Sequence, residues 1–422
     1  MTRMKILISG AGVAGNSLAF WLSKLGHDVT VIERFPALRT AGLQLDLRGH
    51  GVEVMKRMGL EQAFRTRSAP EQGLEFVNSQ GRRSAYFPAN ASGQGLQSFT
   101  SDFEIMRGDL CRLLHDASAD RVKFVFGTSI ESFEQMADGG VDVRFADGGR
   151  DHFDLLVGAD GQGSRTRRMM LGPDETDKFE PLGGFYACYF TVRKPMVEGE
   201  GYEATVYVGT DNRTIMTRRH SPDDAQIYLI FKNDSEEFRK LRRNGSVAEQ
   251  KEAVAEVFRG NGWRTEEILK GMMESSDFYW EQIGLVKMDP WSRGGSATLL
   301  GDAGYCPSPM TGMGTTSAVV GAYVLAGVIG RHCGGDAGRE GLGKALRAYE
   351  ETFRPFVNQV QFGISADSLM WKMWPTGRFG IALLNSLLGW ASFFKLNVLG
   401  EYVLKEDVKG WELPMYEELL KA

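Results

Sequence analysis

Three separated motifs of glycine and aspartate constrain this chain more than any other feature. The first is Gly10-Ala-Gly12-Val-Ala-Gly15 near the N-terminus, and the second is Gly158-Ala-Asp160-Gly161 in mid-chain. The third is Gly301-Asp302-Ala303, which Gly312-Met-Gly314 follows closely. One glycine-rich run is weak evidence for a nucleotide site. Three such motifs in this order indicate one nucleotide cofactor held by three remote segments, and their spacing favours FAD.

The first motif has the sequence context of a dinucleotide-binding βαβ unit. It follows an apolar strand predicted at Lys5–Ser9 and opens a helix predicted at Ala14–Leu25. In such a turn Gly10 permits the tight bend, Gly12 lets a phosphate approach the backbone, and Gly15 lets the helix pack on the strand. The start of the helix supplies N–H groups and partial positive charge for the phosphates.

Glu33 ends the second predicted strand, His27–Glu33. A carboxylate there accepts hydrogen bonds from ribose hydroxyls and disfavours a 2′-phosphate, so NADP is not expected in this site. A second GxGxxG motif does not occur in the sequence. This absence disfavours a reductase with two dinucleotide sites and favours one resident FAD.

Composition excludes several functional classes. The 422 residues exceed what one core usually supports, so at least two intertwined domains are expected. The net charge of -5 argues against nucleic-acid binding. Four scattered cysteines without metal-type spacing suit a reducing compartment and predict a cytoplasmic protein without a metal site. Composition does not distinguish a monomer from a homodimer.

The middle of the chain differs from its two ends in residue pattern. Four predicted strands rich in Tyr, Val and Ile alternate with turn signals, which favours an antiparallel sheet. They are Phe185–Val192, Ala204–Val208, Arg213–Arg219 and Gln226–Phe231. The prediction is an α/β fold: a Rossmann-type, GR2-like FAD-binding domain, an inserted antiparallel substrate sheet and C-terminal helices. The expected boundaries are 1–76, 101–178 and 279–363 for the FAD-binding domain, 77–100 and 179–278 for the substrate domain, and 364–422 for the C-terminal helical segment.

The ordered motifs resemble a known family, the single-component FAD-dependent aromatic monooxygenases of the p-hydroxybenzoate hydroxylase type. The resemblance covers roughly residues 4–365 and includes Arg107-Gly-Asp-Leu110 between the first two motifs. Within that family the chain looks most like the tetracycline-inactivating monooxygenases. Leu45-Asp-Leu47, followed by Gly49 and Gly51, and the proline-rich loop after Asp302 carry this closer similarity.

The resemblance implies roles for the residues of the first and third motifs. Val13 and Ala14 lie in the phosphate-binding turn with the glycines already named. Asp302 would bond a ribityl hydroxyl of FAD. Gly312, Met313 and Gly314 would bring backbone N–H groups to the N1/O2 edge of the flavin, where negative charge accumulates on reduction.

Four further cofactor residues are implied with open alternatives. Arg107 would reach the pyrophosphate or the ribityl chain, unless it is a solvated residue at a helix start. Asp160, with Arg167, would serve both FAD and NAD(P)H, unless it only holds a turn. Arg34 would lie over the adenine, unless it is an ordinary surface arginine. Asp46 aligns with an aspartate of the flavin site in the tetracycline-inactivating relatives.

The implied reaction belongs to the flavin, so no catalytic side chain is predicted. NAD(P)H, a transient co-substrate, would reduce FAD, and O₂ would add at C4a. The resulting hydroperoxide would hydroxylate a phenolic or polycyclic molecule such as a polyketide. The alternative is an oxidase or epoxidase of the same fold. One departure stands out, because Tyr305 replaces the histidine that many relatives carry after Gly-Asp-Ala-Ala.

The predicted substrate wall comes from the sheet and from the loop after Asp302. Strand alternation puts Met216, Arg218 and His220 on one face, but it does not tell which face is toward the flavin. The full set of wall candidates is Tyr207, Met216, Arg218, His220, Tyr228, Pro307 and Pro309. The apolar segments Trp371–Pro375 and Phe379–Phe394 predict helices that cover the core or wall a pocket. A dimer surface or membrane contact is the alternative, without stable membrane insertion because the second segment is too short to span a bilayer.

Overall fold

The computed structural model describes residues 3–39, 42–89, 103–137, 139–334, 337–365, 375–394 and 408–421. Its helices are α1 (Val13–Lys24), α2 (His50–Arg57), α3 (Glu61–Arg65), α4 (Arg107–Asp116), α5 (Arg165–Leu171), α6 (Glu236–Asn244), α7 (Val247–Phe258), α8 (Thr265–Glu274), α9 (Asp302–Tyr305), α10 (Gly314–His332), α11 (Leu342–Gln361), α12 (Arg378–Phe393) and α13 (Glu417–Lys421). Single 3₁₀ turns occupy Pro309–Thr311 and Gly338–Gly341.

The strands fall into four sheets. They are β1 (Lys5–Ser9), β2 (Asp28–Glu33), β3 (Gln44–Asp46), β4 (Gly73–Val77), β5 (Arg83–Pro88), β6 (Glu104–Met106), β7 (Lys123–Phe126), β8 (Ile130–Gln135), β9 (Val141–Phe145), β10 (Arg150–Phe153), β11 (Leu155–Gly158), β12 (Phe179–Arg193), β13 (Glu203–Val208), β14 (Thr214–Arg219), β15 (Asp224–Lys232), β16 (Tyr279–Val286), β17 (Ser292–Arg293) and β18 (Ala297–Leu299).

The first sheet is a mostly parallel layer in the order β17-β18-β11-β1-β2-β7. Only β17 runs antiparallel to its neighbour. Ile6, Leu7 and Ile8 of β1 are all fully buried, which is the pattern of a central strand covered on both faces. The carboxyl ends of β1, β11 and β18 lead directly into the three glycine motifs, so the topology brings the motifs to one edge of this sheet.

The second sheet has seven strands in the order β16-β12-β15-β14-β13-β4-β5. All neighbouring pairs are antiparallel except β13 and β4, which run parallel. Strand β4 begins at Gly73, ahead of the boundary at 76 that the sequence suggested, and the domain boundaries stay a prediction. A small two-stranded sheet pairs β3 with β6. The Gln44 backbone N–H of β3 donates to the Tyr228 hydroxyl of the seven-stranded sheet at 3.1 Å, and the Arg48 backbone N–H, just after β3, donates to Thr316 of α10 at 3.0 Å.

The two faces of the seven-stranded sheet pack against different partners. On one face Ile215 and Leu229 form a core with Phe258 and Met272 from α7 and α8. On the other face Tyr228 packs with Leu43, from the chain that follows β2. The second face is therefore directed toward the nucleotide-binding side of the molecule.

Local details differ from the predicted elements for physical reasons. The apolar pattern of Phe153–Val157 predicts one strand, but the structure divides it between β10 and β11 at Asp154, whose Oδ2 accepts a hydrogen bond from the Lys5 backbone N–H at 2.8 Å. Helix α6 was not predicted from its highly charged sequence; Ser235 caps it by accepting from the Phe238 N–H at 3.2 Å.

Residues 408–421, the last segment that the structure describes, pack against the nucleotide-binding core. Tyr416 is 1% exposed and packs against α10, where a Cβ on Gly327 would lie 2.1 Å from the Tyr416 ring. The Arg57 guanidinium donates to the Pro414 carbonyl at 2.7 Å. Across the residues that the structure describes, every helix is too short or too polar to cross a bilayer.

Candidate functional site

The first and second motifs are in backbone contact. Gly10 has a φ of +114°, and a Cβ on it would lie 2.5 Å from the carbonyl oxygen of Ala159. A Cβ on Gly15 would lie 1.9 Å from the carbonyl oxygen of Gly10. Only glycine fits at these two positions, because any side chain would collide with main-chain atoms that cannot move independently.

The third motif closes on the same point. A Cβ on Gly301 would lie 2.9 Å from the Cβ of Ala14, in the first turn of α1. It would also lie 3.7 Å from the Cβ of Ala318, in α10. The structure thus assembles all three motifs around the N-termini of α1 and α10.

Two glycines of this assembly face open space instead of the protein. Around a Cβ on Gly12, the nearest atom is Nη2 of Arg107 at 3.7 Å. Around a Cβ on Gly314, the nearest atoms are Oδ1 of Asp302 and Cγ of Pro307, both at 4.0 Å. Each glycine borders a helix start whose first N–H groups have no acceptor within the helix. The arrangement is a cradle with an arginine at one end and a carboxylate at the other.

The buried residues of the two helix starts support this cradle. Val13 and Ala14 are each 9% exposed, and Met313 is fully buried. Gly312 adopts the left-handed conformation with a φ of +65°, which turns the chain into α10. Backbone N–H groups at both helix starts are therefore held in place by packing.

Glu33 lies at the edge of the cradle, as the fingerprint predicts. Its Oε2 accepts from the Ala11 N–H at 3.0 Å, and its Oε1 accepts from the Phe35 N–H at 3.1 Å. Each oxygen keeps a second lone pair for a hydroxyl donor. Arg34 is exposed, with its guanidinium 4.9 Å from the Phe35 ring centre.

Asp302 lies where the nucleotide-binding side meets the seven-stranded sheet. Burial raises the pKa of Asp302, while the Cys306 thiol and the Arg107 charge lower it. The same carboxylate raises the pKa of Glu281 on β16, although burial is the larger cause there. Asp302 therefore interacts electrostatically with both Arg107 and the sheet.

Asp160 and Arg167 satisfy their hydrogen bonds within the protein. Asp160 accepts from the backbone N–H groups of Arg165 and Thr166 at 2.8 and 3.0 Å, so it caps the start of α5. Arg167 is fully buried; it donates to the Ala303 carbonyl at 2.9 Å and to Asp177 at 2.7 Å. This geometry matches the structural alternative for the second motif, in which the pair holds a turn.

Asp46 and Arg48 form an ion pair beside the start of α10. Nε of Arg48 donates to Oδ2 of Asp46 at 2.7 Å, and the Arg48 backbone N–H donates to Oγ1 of Thr316 at 3.0 Å. Oδ1 of Asp46 and Nη1 of Arg48 are buried without a hydrogen-bond partner among the described residues. Buried polar atoms of this kind normally have a partner, so they indicate a polar ligand at this place.

Tyr305 points away from the cradle into the core. Its hydroxyl lies 2.9 Å from the hydroxyl of Tyr349, and its ring packs on Trp291 and Phe353. Burial raises the pKa of Tyr305. The residue that replaces histidine in the motif is thus a core residue.

We expect Tyr305→Phe to retain FAD, because the lost hydroxyl faces Tyr349 and not the cradle. The change leaves one buried hydroxyl without its partner and should cost about 1–2 kcal/mol of unfolding free energy. Adding Tyr349→Phe should cost little more, since both partners are then gone. Urea denaturation and flavin absorbance measure the two effects. A loss of FAD without a loss of stability would contradict this placement.

Three tyrosines lie on the face of the seven-stranded sheet that is directed toward the cradle. The ring of Tyr189 meets that of Tyr228 edge-on at 5.3 Å and stacks on that of Tyr279 at 6.2 Å. Tyr189 and Tyr279 both donate to the carboxylate of Glu281, at 3.3 and 3.1 Å. Arg39 places its guanidinium 4.2 Å from the Tyr279 ring centre. The face is aromatic with polar edges.

The predicted wall residues divide between the two faces. Met216 packs in the same cluster as Tyr228, on the cradle side. Tyr207 lies on the opposite face, where its hydroxyl donates to the Asn261 carbonyl at 2.6 Å, so we remove it from the wall. His220 follows β14, and its buried Nδ1 has no hydrogen-bond partner among the described residues.

The two predicted prolines also differ in position. Pro307 is buried beside Gly314, at the start of α10. Pro309 is exposed and opens the following 3₁₀ turn. Of the two, Pro307 is therefore the one in contact with the cradle.

A buried acidic cluster surrounds Arg218. Nε of Arg218 donates to Glu71 at 2.6 Å, and Nη2 donates to Glu104 at 2.5 Å. The Gln44 side-chain amide donates to both carboxylates. Burial raises the pKa of Glu104 to about 8, and the Asp46 and Glu71 charges add to this rise against the Arg218 charge.

We expect the unfolding free energy to fall with rising pH between 4.5 and about 8, because unfolding returns Glu104 from its raised pKa to the ordinary one. In that window the folded state keeps a proton that the unfolded state has lost, so rising pH favours unfolding. Glu104→Gln, which mimics the protonated acid, should flatten the decline. Urea midpoints across this pH range measure it, and an equally steep decline in the variant would contradict it.

Helix α12 covers part of the same sheet face. Its Leu388 packs with Ala85 and Phe87 of β5 and with Phe76 of β4. Phe76 is the register partner of Val206, which in turn pairs with Met216, so these side chains share the cradle-side face. Of the predicted segment Trp371–Pro375, residues 371–374 lie outside the described residues. Phe379 and Trp390, on the outer side of α12, are 85% and 67% exposed.

Several site residues were not predicted from the sequence. They are Arg39, Arg48, Glu71, Glu104, Tyr189, Tyr279 and Glu281. Alternation along β16 could have paired Tyr279 with Glu281 on one face, whereas no local pattern marks Glu71 or Glu104. Within the described ranges, no cluster of His, Cys, Asp or Glu could hold a metal ion.

Comparisons with known proteins match this geometry. The family model of an FAD binding domain matches residues 3–362. The FAD-dependent monooxygenase asL4 of Sarocladium schorii is 48% identical over 432 residues, covering 100% of both chains. The flavin-dependent monooxygenase eupH of a Phoma species is 38% identical, covering 93% of each.

A solved structure shows the same fold over nearly the whole chain. The crystal structure of tetracycline destructase Tet(51) superposes with a TM-score of 0.76 at 28% identity, covering 98% of this chain and 100% of that one. The comparisons confirm the predicted fold class and the resident FAD. The three assembled motifs, the cradle and the unpartnered polar atoms of Asp46 and Arg48 fit that cofactor. The chain belongs to the FAD-binding-domain family of flavin-dependent monooxygenases and is an FAD-dependent oxidoreductase.

Proposed function

We propose that this monooxygenase uses NAD(P)H and O₂ to hydroxylate a phenolic or polycyclic small molecule. One observation carries the proposal: the aromatic sheet face of Tyr189, Tyr228 and Tyr279 packs against Met310, which lies in the loop between Asp302 and Gly314 of the third motif. The cofactor cradle and a surface suited to flat aromatic rings thus adjoin each other.

The cradle residues have the following roles in this proposal. The N–H groups after Gly12, together with Arg107, bind the pyrophosphate, and Glu33 binds the ribose hydroxyls. Asp302 binds the ribityl chain. The N–H groups at the start of α10 and Nη1 of Arg48, which has no hydrogen-bond partner among the described residues, would stabilise negative charge on the flavin.

The substrate side offers rings and hydrogen-bonding groups together. Tyrosine hydroxyls, Glu281 and Arg218 can accept from or donate to hydroxyl and carbonyl groups of a polyphenol. The relative named tetracycline destructase supports a polycyclic, oxygen-rich substrate of the polyketide type. Helix α12 contributes a further apolar wall over β4 and β5, which suits a large ring system.

A cleft of about 710 Å³ lies on the other face of the seven-stranded sheet, the face that packs against α7 and α8. It is bordered by charged side chains that include Arg219, Glu200 and Arg264. Arg219 pairs with Glu200 at 2.6 Å, and Arg264 pairs with Glu267. The sheet separates this cleft from the cradle, so we do not assign the substrate to it.

In this proposal the side chains of the protein bind and orient the cofactor and the substrate, and they take no covalent part in the reaction. When bound, FAD supplies the reduction by NAD(P)H and the activation of O₂. The tyrosine face and Pro307 hold the substrate ring against the cofactor and exclude water. Arg48 and the α10 start hold negative charge, and none of these groups has to act as a nucleophile.

A screen of NAD(P)H oxidation over phenols of one to four rings tests the proposal, with mass spectrometry of each product. The expected result is substrate-stimulated oxidation of the nicotinamide and a product heavier by one oxygen atom. Reduction of the flavin by the substrate itself, with release of H₂O₂, would instead support the alternative function, an oxidase of the same fold. The comparison of NADH with NADPH in this assay also identifies the reductant.

A further inference from the structure

The acidic cluster around Arg218 extends to the cofactor cradle. It contains the carboxylates of Asp46, Glu71 and Glu104 and the guanidinium groups of Arg48 and Arg218. The exposed fractions of these side chains are 17%, 4% and 3% for the acids and 1% and 13% for the arginines. Three negative charges face two positive ones, so one negative charge is left over in a buried place unless a proton binds.

Glu71 and Glu104 are the acids that share their partners. Both accept from Arg218, and both accept from the Gln44 side chain. Burial raises the pKa of both carboxyl groups. Two carboxylates held on the same donors cannot both ionise at low cost, and the usual outcome is one proton for the pair.

Asp46 connects this pair to the cradle. It lies opposite Glu104 in the β3–β6 register, and its charge raises the pKa of Glu104. Asp46 is bound by Arg48, whose backbone N–H donates to Thr316 in the first turn of α10. Nη1 of Arg48 and Oδ1 of Asp46 are buried without a hydrogen-bond partner among the described residues, so they are available to a bound cofactor.

We propose that Glu71 and Glu104 share one proton and that the pair binds this proton more tightly when the bound FAD is reduced. Two electrons and one proton convert FAD to its anionic reduced form, which adds one negative charge near Arg48. At a pH at which the oxidised protein has already lost the shared proton, the pair therefore takes one proton from solvent on reduction, and oxidation releases it again. The cause is electrostatic, because a new negative charge in a buried region raises the proton affinity of a nearby acid.

The charged and titratable groups that face the pair come from three strands and the turn after one of them. Arg218 faces it from β14 and Tyr228 from β15, while Asp46 faces it from β3 with Arg48 behind it. Burial also raises the pKa of the Tyr228 hydroxyl, away from neutral pH.

The test is a spectroelectrochemical titration of the FAD-loaded protein without substrate, across a pH range centred on about 8, the raised pKa of Glu104. We expect the midpoint potential of the wild-type flavin to fall more steeply with pH above a break in this range. The added slope corresponds to one further proton per two electrons. Glu104→Gln and, separately, Glu71→Gln should remove the break.

Glu200→Gln is the matched control. Glu200 binds Arg219, the neighbour of Arg218, at 2.6 Å on the opposite sheet face, so its loss should leave the break in place. A wild-type plot without a break, or a break that persists in both Glu104→Gln and Glu71→Gln, would overturn the proposal. The inference rests on bound FAD alone, so a failure to hydroxylate any substrate would contradict the proposed function and not this coupling.

Discussion

Gly15→Val is expected to yield protein without bound FAD. Even the Cβ of alanine at this position would lie 1.9 Å from the carbonyl oxygen of Gly10, so a larger side chain must push α1 away from β1. That movement shifts the Gly12 turn and breaks the contact between the first two motifs. The ratio of flavin absorbance to protein absorbance after purification measures the loss, which should exceed tenfold.

Gly163→Ala is the control for this change. Gly163 belongs to the second motif region, yet a Cβ there meets no atom within 4 Å, and its φ is not in the left-handed region. Its FAD content should equal that of the wild type. Retention of FAD in Gly15→Val, with the motif geometry unchanged, would contradict the steric account of the first motif.

Arg167→Met is expected to destabilise the protein by about 3 kcal/mol, in the lower part of the range for breaking a buried ion pair. The fully buried guanidinium donates to the carbonyls of Ala303 and Gln162 and to Asp177, and all three would lose a donor. Because Asp177 is 34% exposed, water compensates part of its loss. Chemical denaturation of the holoprotein measures the change in unfolding free energy.

Arg168→Met tests whether the effect is specific. Arg168 is the next residue and approaches the same Asp177 at 3.8 Å, but its side chain is 49% exposed. A surface pair of this kind is worth less than about 1 kcal/mol. Equal destabilisation by the two variants would show that Arg167 does not tie the second motif to the third.

The cofactor half of the site could be predicted because its requirements are local. Gly10 and Gly15 each meet a steric demand that only glycine satisfies, while Gly12 borders open space, and the three recur at the fixed spacing of a dinucleotide-binding turn. Glu33 follows from its position at the end of a strand. The ordered motifs then identified the family, and alternation with turn residues predicted four of the seven strands of the second sheet, β12 to β15.

The remaining parts of the site depend on contacts that no local pattern reveals. The face assigned to Tyr207 depends on which side α7 and α8 pack, and this is decided by the tertiary fold. The acidic cluster joins Glu71 and Glu104 to Arg218. These residues are far apart in sequence, and the tertiary fold brings them together. Likewise, the sequence shows that Tyr305 replaces a histidine of the motif, but not that its ring fills the core against Tyr349.

The most direct test of the central claim is the fate of molecular oxygen. The FAD-loaded protein is supplied with NAD(P)H, a phenolic substrate from the screen and ¹⁸O₂, and the product is analysed by mass spectrometry. The account predicts that the product gains one atom of oxygen-18, while a parallel reaction in H₂¹⁸O under ordinary O₂ leaves the added oxygen unlabelled. Label that enters from water, or flavin turnover that yields only H₂O₂ with every substrate, would contradict it.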